Sequence, residues 1–319
     1  MAIDTVFEQV DRVPAACDAY TARQRAWYAV SAVCVAVLIA GFWNAPLVDG
    51  FGRDVASRTV GDPGALSTTF AQNGFAFGFF FAAVAGVAAT FTACNCVVFA
   101  ILPGLAGSGP RASSRRAALT MLGVFTIGVV VVGATYGMFI GSLGPAGIEA
   151  FNTREIRRSV ATTVFTVLGT MMLLWGGIEL GFLDRVTRRV SPATRAFVSQ
   201  TTTKAALLGL MVGAFLIGRP FPVMRDFLTY AAASNSPIYG AAVMVVVGLG
   251  QIALMVLLFL AVVYGAGAHL SRWVSARPDR AALMSGLPLL AGGSFFVFYW
   301  GLAFAYGIGR WGFRLGWYS

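Results

Sequence analysis

The sequence predicts an all-α, polytopic membrane protein with about seven transmembrane helices. Three observations carry that reading. The chain of 319 residues is 58% hydrophobic and only 11% charged, with a mean hydropathy of +0.76, whereas a soluble domain carries about a quarter charged residues. Its apolar stretches are long enough to cross a hydrocarbon core of about 30 Å. Its basic residues, which give a formal charge of +10, sit in short clusters between those stretches, as loops at an anionic lipid surface do. Nucleic acid is excluded as a partner because its electrostatic footprint would be a continuous basic face.

Residues 1–26 are polar and carry Asp4, Glu8 and Asp11 where a cleaved signal would be basic and then apolar, so they read as a cytoplasmic or interfacial segment. Residues 27–48 form an extra transmembrane helix with Trp27, Tyr28 and Trp43 near its ends. Asp49 to Thr69, rich in glycine, reads as a loop. The second span runs from Phe70 to Pro103, and as one straight helix it would measure roughly 50 Å. It must tilt, kink or break, and Pro103 places the break near Leu102.

A basic loop with Arg111, Arg115 and Arg116 leads to the third span, Ala117 to Ser142. Leu143 to Arg158 reads as a loop with a short surface helix, and Ser159 to Leu180 as the fourth span. Arg185, Arg188, Arg189, Arg195 and Lys204 mark the most basic loop. The fifth span starts near Thr203 and meets Arg219-Pro220-Phe221-Pro222 after about 22 Å of helix, inside the membrane. A polar turn, Tyr230 to Pro237, precedes the sixth span, Ile238 to Ala266; the last runs from Leu283 to Ile308, with residues 309–319 as an aromatic and basic tail. The excess of arginine on the side shared by residues 1–26, 104–116, 185–204 and 269–280 puts the N-terminus in the cytoplasm and the C-terminus outside, although Arg154, Arg157 and Arg158 oppose it.

Setting the first span aside, residues 70–183 and 203–308 become two repeats of three helices. Each opens with a proline-broken helix, and three spans per half make the repeat inverted, with a site at the midplane. The first break brings Cys94-Asn95-Cys96 and Pro103; the second brings Arg219, Pro220, Phe221 and Pro222.

The run from Cys96 to Pro103-Gly104, the second broken helix three spans later, and six core spans together resemble the CcdA/DsbD family of cytochrome c biogenesis transmembrane proteins. The resemblance spans about residues 70–319. It implies a membrane domain that passes reducing equivalents from a thioredoxin-like partner to extracytoplasmic thiol or cytochrome-type proteins, in the cell membrane, with one redox cysteine in each broken helix. Cys94 or Cys96 stands for the first. At the second position this chain has Phe221, and no cysteine follows Cys96.

From the residues alone, three roles for Cys94 and Cys96 stand open. They pack as small apolar side chains, they exchange disulfides with a partner, or they hold a soft metal ion such as Cu(I). No resident cofactor is expected, with the soft metal as the exception. In a regular helix, residues i and i+2 point about 200° apart, so joint action needs local unwinding. Arg219 either caps the carbonyls freed by Pro220 and Pro222 or faces an anionic group or thiolate.

Gln251, Asn73 and Tyr136 read as interhelical hydrogen-bonding groups, His269 as an interface residue and Glu179 as a partner for Arg185. Three function classes follow: a thiol-linked accessory to redox-protein maturation, a subunit of a larger complex that has lost the relay, or a handler of a small ion or soft metal. If the chain is an enzyme, it is a thiol-disulfide electron carrier; no hydrolase triad, phosphate loop or dinucleotide fingerprint is present.

Overall fold

The computed structural model describes residues 21–90, 115–187, 189, 191–192, 200–218, 222–266 and 278–317. Seven of its helices are long and apolar enough to cross a membrane. The large apolar side chains Ile127, Val167, Leu174 and Leu257 stay outward, which suits a surface facing acyl chains. In that solvent each backbone N–H and C=O must be satisfied within the segment, so helices are the available spanning form for such a chain.

The first span, α1 (Ala22–Gly41), begins with a reciprocal capping box between Thr21 and Gln24. It starts earlier than the aromatic positions suggested and stops at Gly41. There Asn44 caps a new helix, α2 (Ala45–Val60), with Pro46 in its first turn. The glycine-rich stretch expected to be a loop is therefore largely helical: α2 is followed by the short α3 (Pro63–Leu66), capped by Asp62. These glycines lie in a segment that packs on α4 (Phe70–Thr90), and tertiary packing outweighs their weak helix propensity.

Two glycines break long helices by taking a positive φ. Gly74, at φ 66°, interrupts α4 near its start. Gly144, also at φ 66° and followed by Pro145, divides α5 (Arg115–Phe151). The second break divides a 37-residue helix that, unbroken at 1.5 Å per residue, would reach about 55 Å, more than one crossing needs. Where a loop with a short surface helix was expected, Leu143 to Phe151 is the last part of α5, and the fourth span, α6 (Arg154–Glu179), begins five residues before Ser159.

After the short α7 (Asp184–Thr187), the fifth span is α8 (Thr201–Gly218), and Pro222 opens α9 (Pro222–Ala232). Tyr230, expected in a polar turn, is instead a fully buried residue of α9. The sixth span, α10 (Pro237–Ala261), passes into a π-helical turn at Val262–Ala266. The seventh, α11 (Pro278–Phe296), continues as a π-helix over Val297–Phe304, before the short α12 (Trp311–Arg314).

The centre of the bundle is the pair α5 and α10. On it α4 packs against α10, and α8 packs against α5. α6 and α11 pair beside them, and α1 lies along α11. Glycine permits the closest crossings. A Cβ on Gly86 of α4 would stand 2.5 Å from the Val247 carbonyl oxygen and 3.0 Å from Gly250 Cα on α10. On the other pair, a Cβ on Gly128 of α5 would lie 2.8 Å from Leu210 N on α8. With no hydrophobic force between helices in lipid, such backbone proximity supplies the van der Waals contact that holds spans together.

Candidate functional site

The site expected from the sequence draws on the ends of the second and fifth spans. Cys94, Asn95, Cys96, Pro103, Arg219, Pro220 and Phe221 fall outside the described residues, as does His269. Pro222 is described, as the half-buried first residue of α9. The geometry therefore comes from the elements that lead into and out of those residues.

α4 delivers its chain to the interior through Thr90. This buried side chain ends α4, and its hydroxyl donates to the Gln251 carbonyl at 3.1 Å and lies 3.3 Å from that of Gly250. Gln251, in the middle of α10 and 1% exposed, donates from Nε2 to the Val212 carbonyl of α8 at 3.1 Å. α10 thus ties together the helix that leads to Cys94 and the helix that leads to Arg219. Gln251 performs the interhelical role read from its isolation in an apolar span. Tyr136 is buried, at the wall of the cleft described below. Asn73 differs from expectation: its amide donates to Thr69 Oγ1 at 2.8 Å within its own turn, and it is exposed. A short polar side chain beside a helix break finds its nearest partner locally.

Gly218 closes α8 and Pro222 starts α9, so the fifth span is two helices, as the prolines imply. α9 lies on α4 and α5. Phe81 of α4 meets Phe227 and Tyr230 of α9 edge to face, at centroid distances of 5.4 and 5.8 Å. The second and fifth spans therefore meet through α9. The break at Gly74 is closed from the same side: Tyr230 donates to the Gly74 carbonyl at 2.7 Å and Tyr239 to that of Phe75 at 3.1 Å. A glycine at positive φ frees carbonyls that the helix no longer satisfies, and the two phenols take them.

At the opposite end, Glu179 pairs with Lys204 and accepts from Trp175 Nε1 at 3.1 Å and, more weakly, from Ser285 Oγ at 3.4 Å. The expected partner was Arg185, whose side chain lies outside the described residues; Lys204, at the start of α8, holds this place. The arrangement joins α6, α8 and α11. Sequence reading missed it, although the i,i+4 spacing of Trp175 and Glu179 is a usable sign. Among the described residues no group of three metal-ligating side chains occurs.

A family model described as the cytochrome C biogenesis protein transmembrane domain matches residues 75–275. The chain belongs to this family. No curated protein and no solved structure matches it. The cytochrome c biogenesis match opens at Phe75, the residue after the Gly74 break, and closes before α11. It takes in most of α4, α5 to α10 and the Gly144 break, and leaves α1 to α3, Gly74 and the last span outside, a shorter reach than residues 70–319. Within this multi-pass membrane family the chain has the Cys94 and Cys96 pair and no later cysteine.

Proposed function

We propose that the chain is a thiol-linked accessory in the maturation of cytochrome c or another extracytoplasmic redox protein, working through Cys94 or Cys96 and a cysteine supplied by a partner. The observation that carries this reading is the family match over residues 75–275, which includes both cysteines, combined with Phe221 where the second redox cysteine of the resemblance would stand. A chain with half of a dithiol relay needs the other half from elsewhere. In the exchange, a Cys96 thiolate attacks a partner disulfide and a mixed disulfide forms. The partner's second sulfur leaves as thiolate, and another thiol resolves the adduct; a thioredoxin-like dithiol is the electron source.

The protein lies in the cell membrane with the N-terminus cytoplasmic and the C-terminus outside. Arg25 at the start of α1 lies beside Gly181 at the end of α6, so both belong to the side that carries Arg185, Arg188, Arg189 and Lys204. At the other end of α1, Gly41 and Phe42 rest against Trp311 of the tail.

The test is trapping. With Cys94→Ser, a mixed disulfide through Cys96 is expected on non-reducing gels and is lost on adding Cys96→Ser. Because the second cysteine is missing, a scaffold subunit is the competing reading. Full maturation of c-type cytochromes by the Cys94→Ser/Cys96→Ser protein would establish it and overturn the thiol role. A soft metal that copurifies and is lost in the double serine variant would instead assign the pair to metal handling.

A further inference from the structure

The cleft between the α5–α6 turn and the start of α9 holds a guanidinium that, among the described residues, makes no ion pair. It is lined by Tyr136, Asn152, Arg157, Gly218, Arg225 and Leu228, among others. Arg225 is already engaged: its Nε and Nη2 both lie 2.8 Å from Asp226 Oδ1. Arg157 differs. Its Nε is buried with no hydrogen-bond partner, and among the described residues no carboxylate lies within ion-pair distance of it. Asn152 Oδ1 is also buried without a partner, while Nδ2 donates to Thr229 Oγ1 at 3.1 Å. The Thr229 hydroxyl itself donates to the Arg225 carbonyl at 3.2 Å, so the amide keeps its NH2 on Thr229 and its oxygen faces the cleft. Thr153, the cap residue of α6, makes no side-chain cap bond, so the first amides of α6 are open at the same end.

A buried guanidinium edge without an acceptor costs free energy that an oxyanion would recover. We propose that this cleft binds the phosphate of an anionic phospholipid headgroup, with Arg157 as the principal donor and Arg225 beside it. The lipid source follows from the surroundings. Phe139, 47% exposed, stacks on Tyr136 and meets Phe151 edge to face, and both of those line the cleft. Ile156, 42% exposed, precedes Arg157 on α6. Exposed apolar side chains on the rim suit an acyl chain and give a soluble anion nothing. The cleft also gives Arg157 a reason to stand on the side that the overall arginine bias assigns to the exterior.

The experiment measures binding of phosphatidylglycerol to the purified full chain by native mass spectrometry and by thermal shift, with phosphatidylcholine and inorganic phosphate as separate arms. Wild type is expected to retain phosphatidylglycerol, Arg157→Gln to lose about tenfold in affinity, as removal of a charge-assisted donor implies, and Arg116→Gln, at the far end of α5, to bind as wild type. Arg157→Lys keeps the charge without the fork and is expected to fall between, which serves if the glutamine variant does not fold. Equal retention of phosphatidylglycerol by wild type and both Arg157 variants overturns the site. Equal affinity for inorganic phosphate, or equal retention of phosphatidylcholine, overturns the assignment to an anionic lipid.

Discussion

The hydroxyl of Thr90 lies 3.1 Å from the carbonyl oxygen of Gln251, deep in the bundle where α4 ends against the middle of α10. Because the Gln251 side chain reaches the other way, to Val212 of α8, one residue braces both helices that lead into the candidate site. The two bonds use different atoms of Gln251, one its backbone and one its amide. Thr90→Val and Gln251→Leu should therefore each destabilise the protein by about 0.6–1.7 kcal/mol, and their effects should add. Reversible unfolding in mixed micelles of the two single variants and the double variant checks this. A coupling above about 0.5 kcal/mol would show that the amide and the hydroxyl act as one unit.

Close crossings are the second structural commitment. Gly86→Ala would push its Cβ onto backbone atoms of α10, which cannot rotate away, so α4 and α10 must separate. The expected loss is about 1–3 kcal/mol. Gly123→Ala in α5 meets nothing within 4 Å and should be neutral or stabilising by up to about 1 kcal/mol through helix propensity. Melting temperatures of the two variants, measured side by side, give opposite signs if the packing is as described.

Gly74 depends on two phenols. Tyr230→Phe and Tyr239→Phe leave the aromatic contacts of these rings in place and remove the donors to the Gly74 and Phe75 carbonyls. Each is expected to cost about 0.5–1.5 kcal/mol. Hydrogen exchange at the start of α4 should rise in both variants while exchange in α6 stays unchanged. Uniform change across the chain would mean that the phenols support the whole fold and not this break.

Much of the architecture was legible because lipid as solvent leaves few alternatives: apolar length fixed the seven spans, and Pro220 and Pro222 announced the divided fifth helix. Gln251 was legible for the same reason, since an amide in an apolar span has to bond across to a neighbour. The helical α2 was not, because its glycines argue for a loop and only its packing on α4 overrides them. The breaks at Gly74 and Gly144 were hidden among many glycines, where none stands out until φ is known. Arg157 looked like a contrary topology signal. The cleft that gives it meaning is built from residues far apart in sequence, Tyr136 to Leu228, and no local pattern announces it.

Glu179 and Lys204 are partly buried, their side chains 15% and 23% exposed. Breaking such a pair from one side leaves an uncompensated charge, whereas removing both partners can be nearly neutral. Lys204→Met should thus destabilise the protein by about 3 kcal/mol at most, discounted for the remaining exposure. Glu179→Leu combined with Lys204→Met should recover most of that loss. Trp175 sharpens the expectation, since its Nε1 donates to the carboxylate and would lose that acceptor in the double variant, so recovery stays incomplete. Adding Trp175→Phe to the double variant should close part of the remaining gap. A double variant less stable than Lys204→Met alone would show that α6, α8 and α11 are held there by the carboxylate's hydrogen bonds, with the charge pair secondary.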